Sequence, residues 1–315
     1  MGAGTITRKF AALFLVVGAV TSLLVLTGSS RAVFAEEYVS SRNCPCKGTT
    51  VREVLKSGVP QRSDYESLFR GELYRQMERF SNEFQNKHST VLEIYGRKWV
   101  QDPLHTWSRV YEYPYVFSRV LRAASANSKE KLSVLDLGSG VTFLPWFIYE
   151  SLHTRISLMS AMDLDPDYAS LYDNINAMEK YQVSFHLQDI STLVDASDEA
   201  YDIIYSVSVF EHMEDAFATI GNIERVLKRG GTFIVSFDLV HDNSTNSMRL
   251  TEAEKVLQAL KDTFVEVDPN PADTRKEFNA DPVVPETMQT YYPNYDSSGL
   301  GTQKLAFSCH EFLKV

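Results

Sequence analysis

The chain has 315 residues, a length that suits one large α/β domain with extensions or two small domains. Hydrophobic residues make up 44% and charged residues 23%, a composition that disfavours a long disordered protein. Its formal net charge of −10 repels phosphate backbones and disfavours DNA or RNA as the main substrate. Cys44 and Cys46 lack the second pair of ligands that a zinc site needs, and Cys309 stands alone, so we predict no metal site.

An apolar segment lies near the N-terminus. No charged residue occurs between residues 10 and 30, and Arg8 and Lys9 precede this segment. A run of this length can just cross a bilayer as a helix, but a basic start before an apolar middle is also typical of a secretory signal or an organelle transit sequence. We therefore predict that residues 1–35 are a signal, a targeting segment or a membrane anchor, with membrane association through residues 10–30; these alternatives stay open.

Helices precede the sheet in the predicted organisation. After a linker over residues 36–62, apolar residues recur at spacings of three and four from Ser63 onwards, which indicates an amphipathic helix. Further helical stretches are predicted at 91–100 and 115–126. We assign residues 63–130 to a helical extension that packs on the edge of the sheet or covers a site.

Short apolar runs then alternate with helical segments, which is typical of a parallel, doubly wound sheet. The predicted strands are 132–137, 156–162, 183–187, 201–207, 232–237, 264–267 and 305–313. The predicted fold class is therefore α/β, with a Rossmann-like, doubly wound, mostly parallel seven-stranded sheet behind an N-terminal helical extension. This domain takes up residues 131–315, and its proline-rich and aromatic-rich stretch 268–300 is predicted to be a lid-like insertion.

A glycine-containing turn joins the first strand to its helix in the segment VLDLGSGVTFLPWF. The strand delivers Asp136, and Gly138 and Gly140 follow in the turn. Glycine lets the main chain approach a ligand where a Cβ would clash, and the N-terminus of the helix offers unpaired N–H groups to a carboxylate. A nicotinamide-binding turn has a third glycine where this chain has Phe143, which disfavours a dinucleotide.

This segment resembles the first motif of the class I S-adenosylmethionine-dependent methyltransferases, an acidic residue followed by G-x-G-x-G. Asp136, Gly138 and Gly140 match the motif, whereas Thr142 replaces its third glycine. The resemblance implies that S-adenosylmethionine is the cofactor and that these residues bind it together with Ser139 of the same turn.

Further segments follow in the order of that family, so that the resemblance spans about residues 132–237. Asp163 ends the second strand, where the family places the acid that binds both ribose hydroxyls, and Leu164 lies beside it. A carboxylate can accept both O–H donors at once. Asp165 is the alternative for this role.

The third and fourth strands carry the remaining cofactor residues that the resemblance implies. Asp189 matches the acid that accepts from the adenine amino group, and Ile190 flanks the base. Ser206 and Ser208 lie near the methionine moiety. Each acidic residue also has an ordinary structural interpretation, as a cap of a turn or a helix.

Glu211 and His212 form the one acid–base pair within these motifs and are the catalytic candidates. A histidine with a pKa of about 6.5 can accept a proton from an acceptor, although in this family the position often only shapes the pocket. The methyl carbon on the sulfonium is already electrophilic, so holding the acceptor in line and excluding water is sufficient and a general base is optional.

We therefore predict an S-adenosylmethionine-dependent methyltransferase that acts on a small-molecule or lipid-like acceptor and has no nucleic-acid partner. The acceptor pocket is expected between the helices before Ser133 and the segment 268–300. Two alternatives remain: a non-catalytic binding or scaffold protein that keeps this fold, and a nicotinamide oxidoreductase.

Overall fold

The computed structural model describes six stretches of the chain. They are residues 55–99, 102–106, 108–193, 196–240, 248–269 and 305–315. The predicted targeting segment, most of the linker and nearly all of the lid-like insertion lie outside the described residues. Within the described stretches, no helix is both long enough and apolar enough to span a membrane.

The predicted helical extension is present ahead of the sheet. Its helices within the described residues are α1 (Arg62–Arg70), α2 (Glu72–Lys87), α3 (Ser89–Gly96) and α4 (Arg109–Ala126). The amphipathic pattern that predicted one helix from Ser63 is interrupted at Gly71, whose extended backbone separates α1 from α2. Helix α4 begins earlier than predicted and includes Pro114, because a proline near the start of a long, buried helix removes only one main-chain hydrogen bond.

The sheet confirms the predicted α/β class. Its described strands are β1 (Leu132–Leu137), β2 (Ile156–Asp163), β3 (Ser184–Leu187), β4 (Tyr201–Val207), β5 (Leu227–Val240), β6 (Met248–Arg249), β7 (Val265–Glu266) and β8 (Leu305–Leu313). Their order is β3–β2–β1–β4–β5–β8–β7, with β6 paired on β5, and only β8 runs antiparallel to its neighbours. The two residues of β6, an eighth strand beyond the seven predicted, are too few to give a pattern in the sequence.

Helices cover both faces of this sheet. Those that follow the extension are α5 (Leu144–Ser151), α6 (Tyr168–Asn176), α7 (Ala216–Val226) and α8 (Leu250–Thr263). The extension, α5 and α6 pack on one face, and α7 and α8 pack on the other. The strand order reverses between β1 and β4, and in such sheets ligands bind beyond the carboxyl ends of the strands at this point.

Strand β5 is longer than predicted. The Gly230–Gly231 pair in the sequence is typical of a helix stop. In the structure, however, α7 ends at Val226, and Leu227 already pairs with Tyr201 of β4. Gly230 has a φ of +72°, and its N–H donates to the Lys314 carbonyl at 2.7 Å. The left-handed glycine therefore bends a strand that is paired with the end of the chain, and does not cap the helix.

A buried carboxylate ties β4 to its surroundings at the edge of the sheet opposite the strand carboxyl ends. Asp202 is 2% exposed and accepts from Lys129 Nζ and Lys228 Nζ, each at 2.7 Å, and from the Ser133 N–H at 3.0 Å. Burial acts to raise the pKa of Asp202, but the hydrogen bonds from the two lysines outweigh it and the pKa is lowered.

We expect Asp202→Asn to lower the free energy of unfolding by about 2 kcal/mol at pH 7, because two charge-assisted hydrogen bonds are lost. Since the pKa of Asp202 is lower in the folded protein than in the unfolded chain, its contribution is complete above about pH 4 and is lost as the pH falls through the folded-state pKa. Urea unfolding of both proteins at pH 7 and at successively more acid pH measures this. A difference that does not shrink in acid would contradict the assignment.

Candidate cofactor and active site

A cavity of about 310 Å³ opens at the carboxyl ends of β1, β2 and β4. This volume is within the range of small-molecule pockets. The walls come from the turn after β1, from the ends of β2 and β4, and from the helical extension. Nine of the predicted site residues line it: Gly138, Ser139, Gly140, Thr142, Asp163, Leu164, Ile190, Ser208 and His212.

The turn after β1 exposes its main chain to the cavity because two of its residues are glycines. Gly138 and Gly140 have φ values of +75° and +53°, which other residues adopt only with strain. A Cβ on Gly140 would lie 2.4 Å from the Tyr95 hydroxyl oxygen, and one on Gly138 would lie 2.5 Å from a methyl group of Val209. No side chain larger than hydrogen fits at either position without displacing the cavity wall.

The carboxylate of Asp163 is fixed at the end of β2 by main-chain donors. Its Oδ2 accepts from the Gly140 N–H at 2.9 Å, and its Oδ1 accepts from the Leu164 and Asp165 N–H groups at 2.8 and 3.3 Å. Burial raises the pKa of Asp163, and these hydrogen bonds oppose the rise. Asp165, the alternative acid, also lines the cavity, but its carboxylate is paired with Lys98 Nζ at 2.8 Å. Asp163 is therefore the acid with its orientation set toward the glycine turn.

Four predicted site residues do not line the cavity: Asp136, Asp189, Ser206 and Glu211. Asp136 is buried, and burial raises the pKa of its carboxyl. The Ser206 hydroxyl donates to the Leu137 carbonyl at 3.0 Å, and the exposed Asp189 carboxylate accepts from the Ser191 N–H at 2.8 Å. Their assignment to the cofactor stays a prediction.

The two catalytic candidates lie in a short 3₁₀ turn, Phe210–His212, but face different surroundings. His212 lines the cavity, and burial together with the positive charge of Arg109 lowers the pKa of its imidazole. The Glu211 carboxylate is buried and accepts from the Asp238 N–H at 3.0 Å. Burial and the nearby Asp238 charge raise the pKa of Glu211 well above its usual range. His212 is thus a base that lines the cavity, and Glu211 is an acid that lies behind the cavity wall.

Sequence reasoning missed four groups that the extension contributes. Tyr95, Trp99, Arg109 and Tyr113 all line the cavity, and Arg109 is the one lysine or arginine among the described lining residues. Arg109 Nη1 donates to Ser208 Oγ at 2.6 Å and to Glu112 Oε2 at 2.5 Å. No local pattern in the sequence marks Arg109, because α4 also carries Arg119 and Arg122, and the spacing of Arg109 and Glu112 is that of an ordinary ion pair within a helix.

The described residues hold no group of three His, Cys, Asp or Glu side chains arranged to bind a metal ion. The predicted absence of a metal site stays a prediction.

Comparison with known proteins places part of this chain in a family. Residues 135–235 match the family model described as a methyltransferase domain. The chain is 26% identical over 159 residues to the ubiquinone biosynthesis O-methyltransferase of Xanthomonas campestris pv. campestris, a match that covers 48% of this chain and 62% of that protein. It is 29% identical over 127 residues to the sterol 24-C-methyltransferase of Neurospora crassa, which covers 39% of this chain and 32% of that protein. The chain thus matches only part of the length of these relatives.

A solved structure, the geranyl diphosphate C-methyltransferase of Streptomyces coelicolor, resembles the chain more distantly. It is 13% identical, covers 64% of this chain and 80% of that chain, and has a TM-score of 0.43. A likeness at this level says nothing about the acceptor.

The family match extends from β1 into β5 and so includes the glycine turn, Asp163 and the end of β4, which together build the cavity. The predicted cofactor, S-adenosylmethionine, is the cofactor of this group of enzymes. Residues 135–235 therefore match a methyltransferase domain, and this match supports the resemblance to the class I S-adenosylmethionine-dependent methyltransferases.

Proposed function

We propose that the protein transfers the methyl group of S-adenosylmethionine to a hydroxyl oxygen of a small, lipid-like acceptor. One observation carries this proposal: the glycine turn, the Asp163 carboxylate and the imidazole of His212 meet at one cavity. The names of the relatives, a ubiquinone biosynthesis O-methyltransferase and a sterol 24-C-methyltransferase, support a lipid-like acceptor, and the first names oxygen as the atom methylated.

The cavity residues fit the chemistry of the cofactor. The Asp163 carboxylate, held by three main-chain N–H groups, is a multiple acceptor that suits two ribose hydroxyls. Leu164, which is 65% exposed, and Ile190 offer apolar surfaces to the adenine ring. Arg109 offers a permanent positive charge to the carboxylate of the methionine moiety.

When bound, S-adenosylmethionine supplies a methyl carbon on a positively charged sulfur, which is already electrophilic. The remaining task of the protein is to hold the acceptor hydroxyl and to take up its proton. His212 suits this task because its lowered pKa keeps the imidazole neutral at neutral pH. Trp99 and Tyr113 wall the same cavity and restrict the access of water.

A non-catalytic binding protein is the second candidate. It is favoured by Thr142, which lines the cavity where the family has its third glycine. Incubation of the full chain with methyl-tritiated S-adenosylmethionine and a total lipid extract separates the two. We expect label in the organic phase, whereas binding of the cofactor without any transfer to lipid or metabolite extracts would favour the binding protein.

We expect Asp163→Asn to weaken the binding of S-adenosylhomocysteine about 50-fold, since a charged acceptor of two hydroxyl donors is lost. Isothermal titration calorimetry measures the affinity. Asp165→Asn is the matched control: it removes an equivalent carboxylate two residues away that is paired with Lys98, and it should change the affinity by less than about threefold. Equal effects of the two substitutions would refute the ribose assignment of Asp163.

We expect His212→Gln to lower the rate of methyl transfer about 100-fold, with the affinity for S-adenosylhomocysteine unchanged, because only proton transfer is lost. In the wild type, the rate should fall in acid as the imidazole is protonated, with its midpoint below the usual histidine pKa of about 6.5. Initial rates between acid and neutral pH, with label extracted into the organic phase, measure both. A wild-type rate that does not fall in acid, or an unimpaired variant, would mean that His212 only shapes the cavity.

A further inference from the structure

Glu112 is a carboxylate without solvent access in the wall behind the cavity. It is 0% exposed and lies one turn after Arg109 in α4. Its Oε2 accepts from Arg109 Nη1 at 2.5 Å, and its Oε1 accepts from the Ser208 hydroxyl at 2.8 Å. One oxygen of Glu112 is therefore bound to the cation that lines the cavity, and the other is bound to the residue that follows β4.

The recorded hydrogen bonds of Arg109 all use the same nitrogen. Besides Glu112, Nη1 donates to Ser108 Oγ at 2.8 Å and to Ser208 Oγ at 2.6 Å. A guanidinium has five N–H donors in one rigid plane, and Nη1 carries two of them, which these three oxygens share. With Nη1 fixed to the wall, the donors on Nη2 and Nε are the part of the group available to a ligand in the cavity.

Ser208 keeps a strained backbone at this position. Its φ is +50°, a left-handed value that is uncommon for a residue with a side chain, and its N–H donates to the Ser236 carbonyl at 3.0 Å. This conformation places its hydroxyl between Arg109 and Glu112, where it accepts from one and donates to the other. The left-handed backbone of Ser208 therefore positions the hydroxyl that links Arg109 to Glu112.

We propose that Glu112 is a positioning residue that holds the Arg109 guanidinium where it recognises the carboxylate of the cofactor's methionine moiety. This inference rests on the proposed function. A guanidinium binds a carboxylate best through two parallel hydrogen bonds, so the plane of the guanidinium must be set before the ligand arrives. Glu112 does not line the cavity, so it acts on a ligand through the two lining residues that it contacts, Arg109 and Ser208.

Two ligands that differ in the methionine moiety test this role. S-adenosylhomocysteine carries the amino-acid carboxylate, whereas 5′-methylthioadenosine has the same nucleoside and a thioether sulfur but lacks it. For Glu112→Gln, which keeps the shape of the side chain, we expect the Kd of S-adenosylhomocysteine to rise about tenfold and the Kd of 5′-methylthioadenosine to change less than about twofold. Calorimetry on the full chain measures both.

A double-mutant cycle tests whether Glu112 acts through Arg109. Glu112→Gln should add almost nothing to the loss that Arg109→Gln causes on its own. Arg109→Gln alone leaves a buried carboxylate unpaired and can fail to fold. In that case the double variant, with both Arg109→Gln and Glu112→Gln, is compared with the single variant Glu112→Gln. The double variant should bind S-adenosylhomocysteine more weakly than the single variant, but 5′-methylthioadenosine equally well.

Asp202→Asn is the matched control, because it makes the same kind of change at a buried, paired carboxylate remote from the cavity. It should leave both Kd values unchanged. The positioning role is overturned if Glu112→Gln weakens both ligands equally, if it weakens neither, or if Asp202→Asn has the same effect. A wild type that binds neither ligand would instead overturn the proposed function.

Discussion

The cavity depends on how closely two main-chain segments approach each other. The Gly140 N–H donates to the Asp163 carboxylate at 2.9 Å, which fastens the turn after β1 to the end of β2. Gly140 also lies close to Tyr95 of α3. A Cβ on this residue would be 2.4 Å from the Tyr95 hydroxyl oxygen. A glycine at this one position therefore allows both the turn that faces the ligand and the close packing of the extension over it.

The cavity joins the part of the chain that matches the family model to the part that precedes it. The turn, Asp163 and the end of β4 lie within residues 135–235, the part that matches the methyltransferase domain. Tyr95, Trp99 and Arg109 come from residues that precede this part, and they provide aromatic walls and a cation. The part that matches the family thus supplies the glycine turn and Asp163, and the extension completes the cavity with aromatic walls and a cation.

The strands and the glycine turn could be predicted because their signals are local. The bounds of β4 and β8 are those predicted, since each is an apolar run between turn residues. Arg109 could not be assigned to the site, because the Ser208 hydroxyl that it contacts is 99 residues further along the chain and no local pattern reports such a contact. Asp136 could be found because it is part of a local motif. The motif does not show, however, that the residue is buried and does not line the cavity.

The charges behind the cavity explain how the half-buried Arg109 keeps its charge there. Burial alone would lower the pKa of Arg109, but the carboxylates of Glu112 and Asp238 outweigh it and raise the pKa, so the guanidinium stays charged. Burial and the charge of Asp238 raise the pKa of Glu211 well above its usual range. The wall behind the cavity therefore holds the guanidinium through hydrogen bonds and nearby carboxyl groups, and Arg109 can present a positive charge to the cavity without exposing the whole side chain to water.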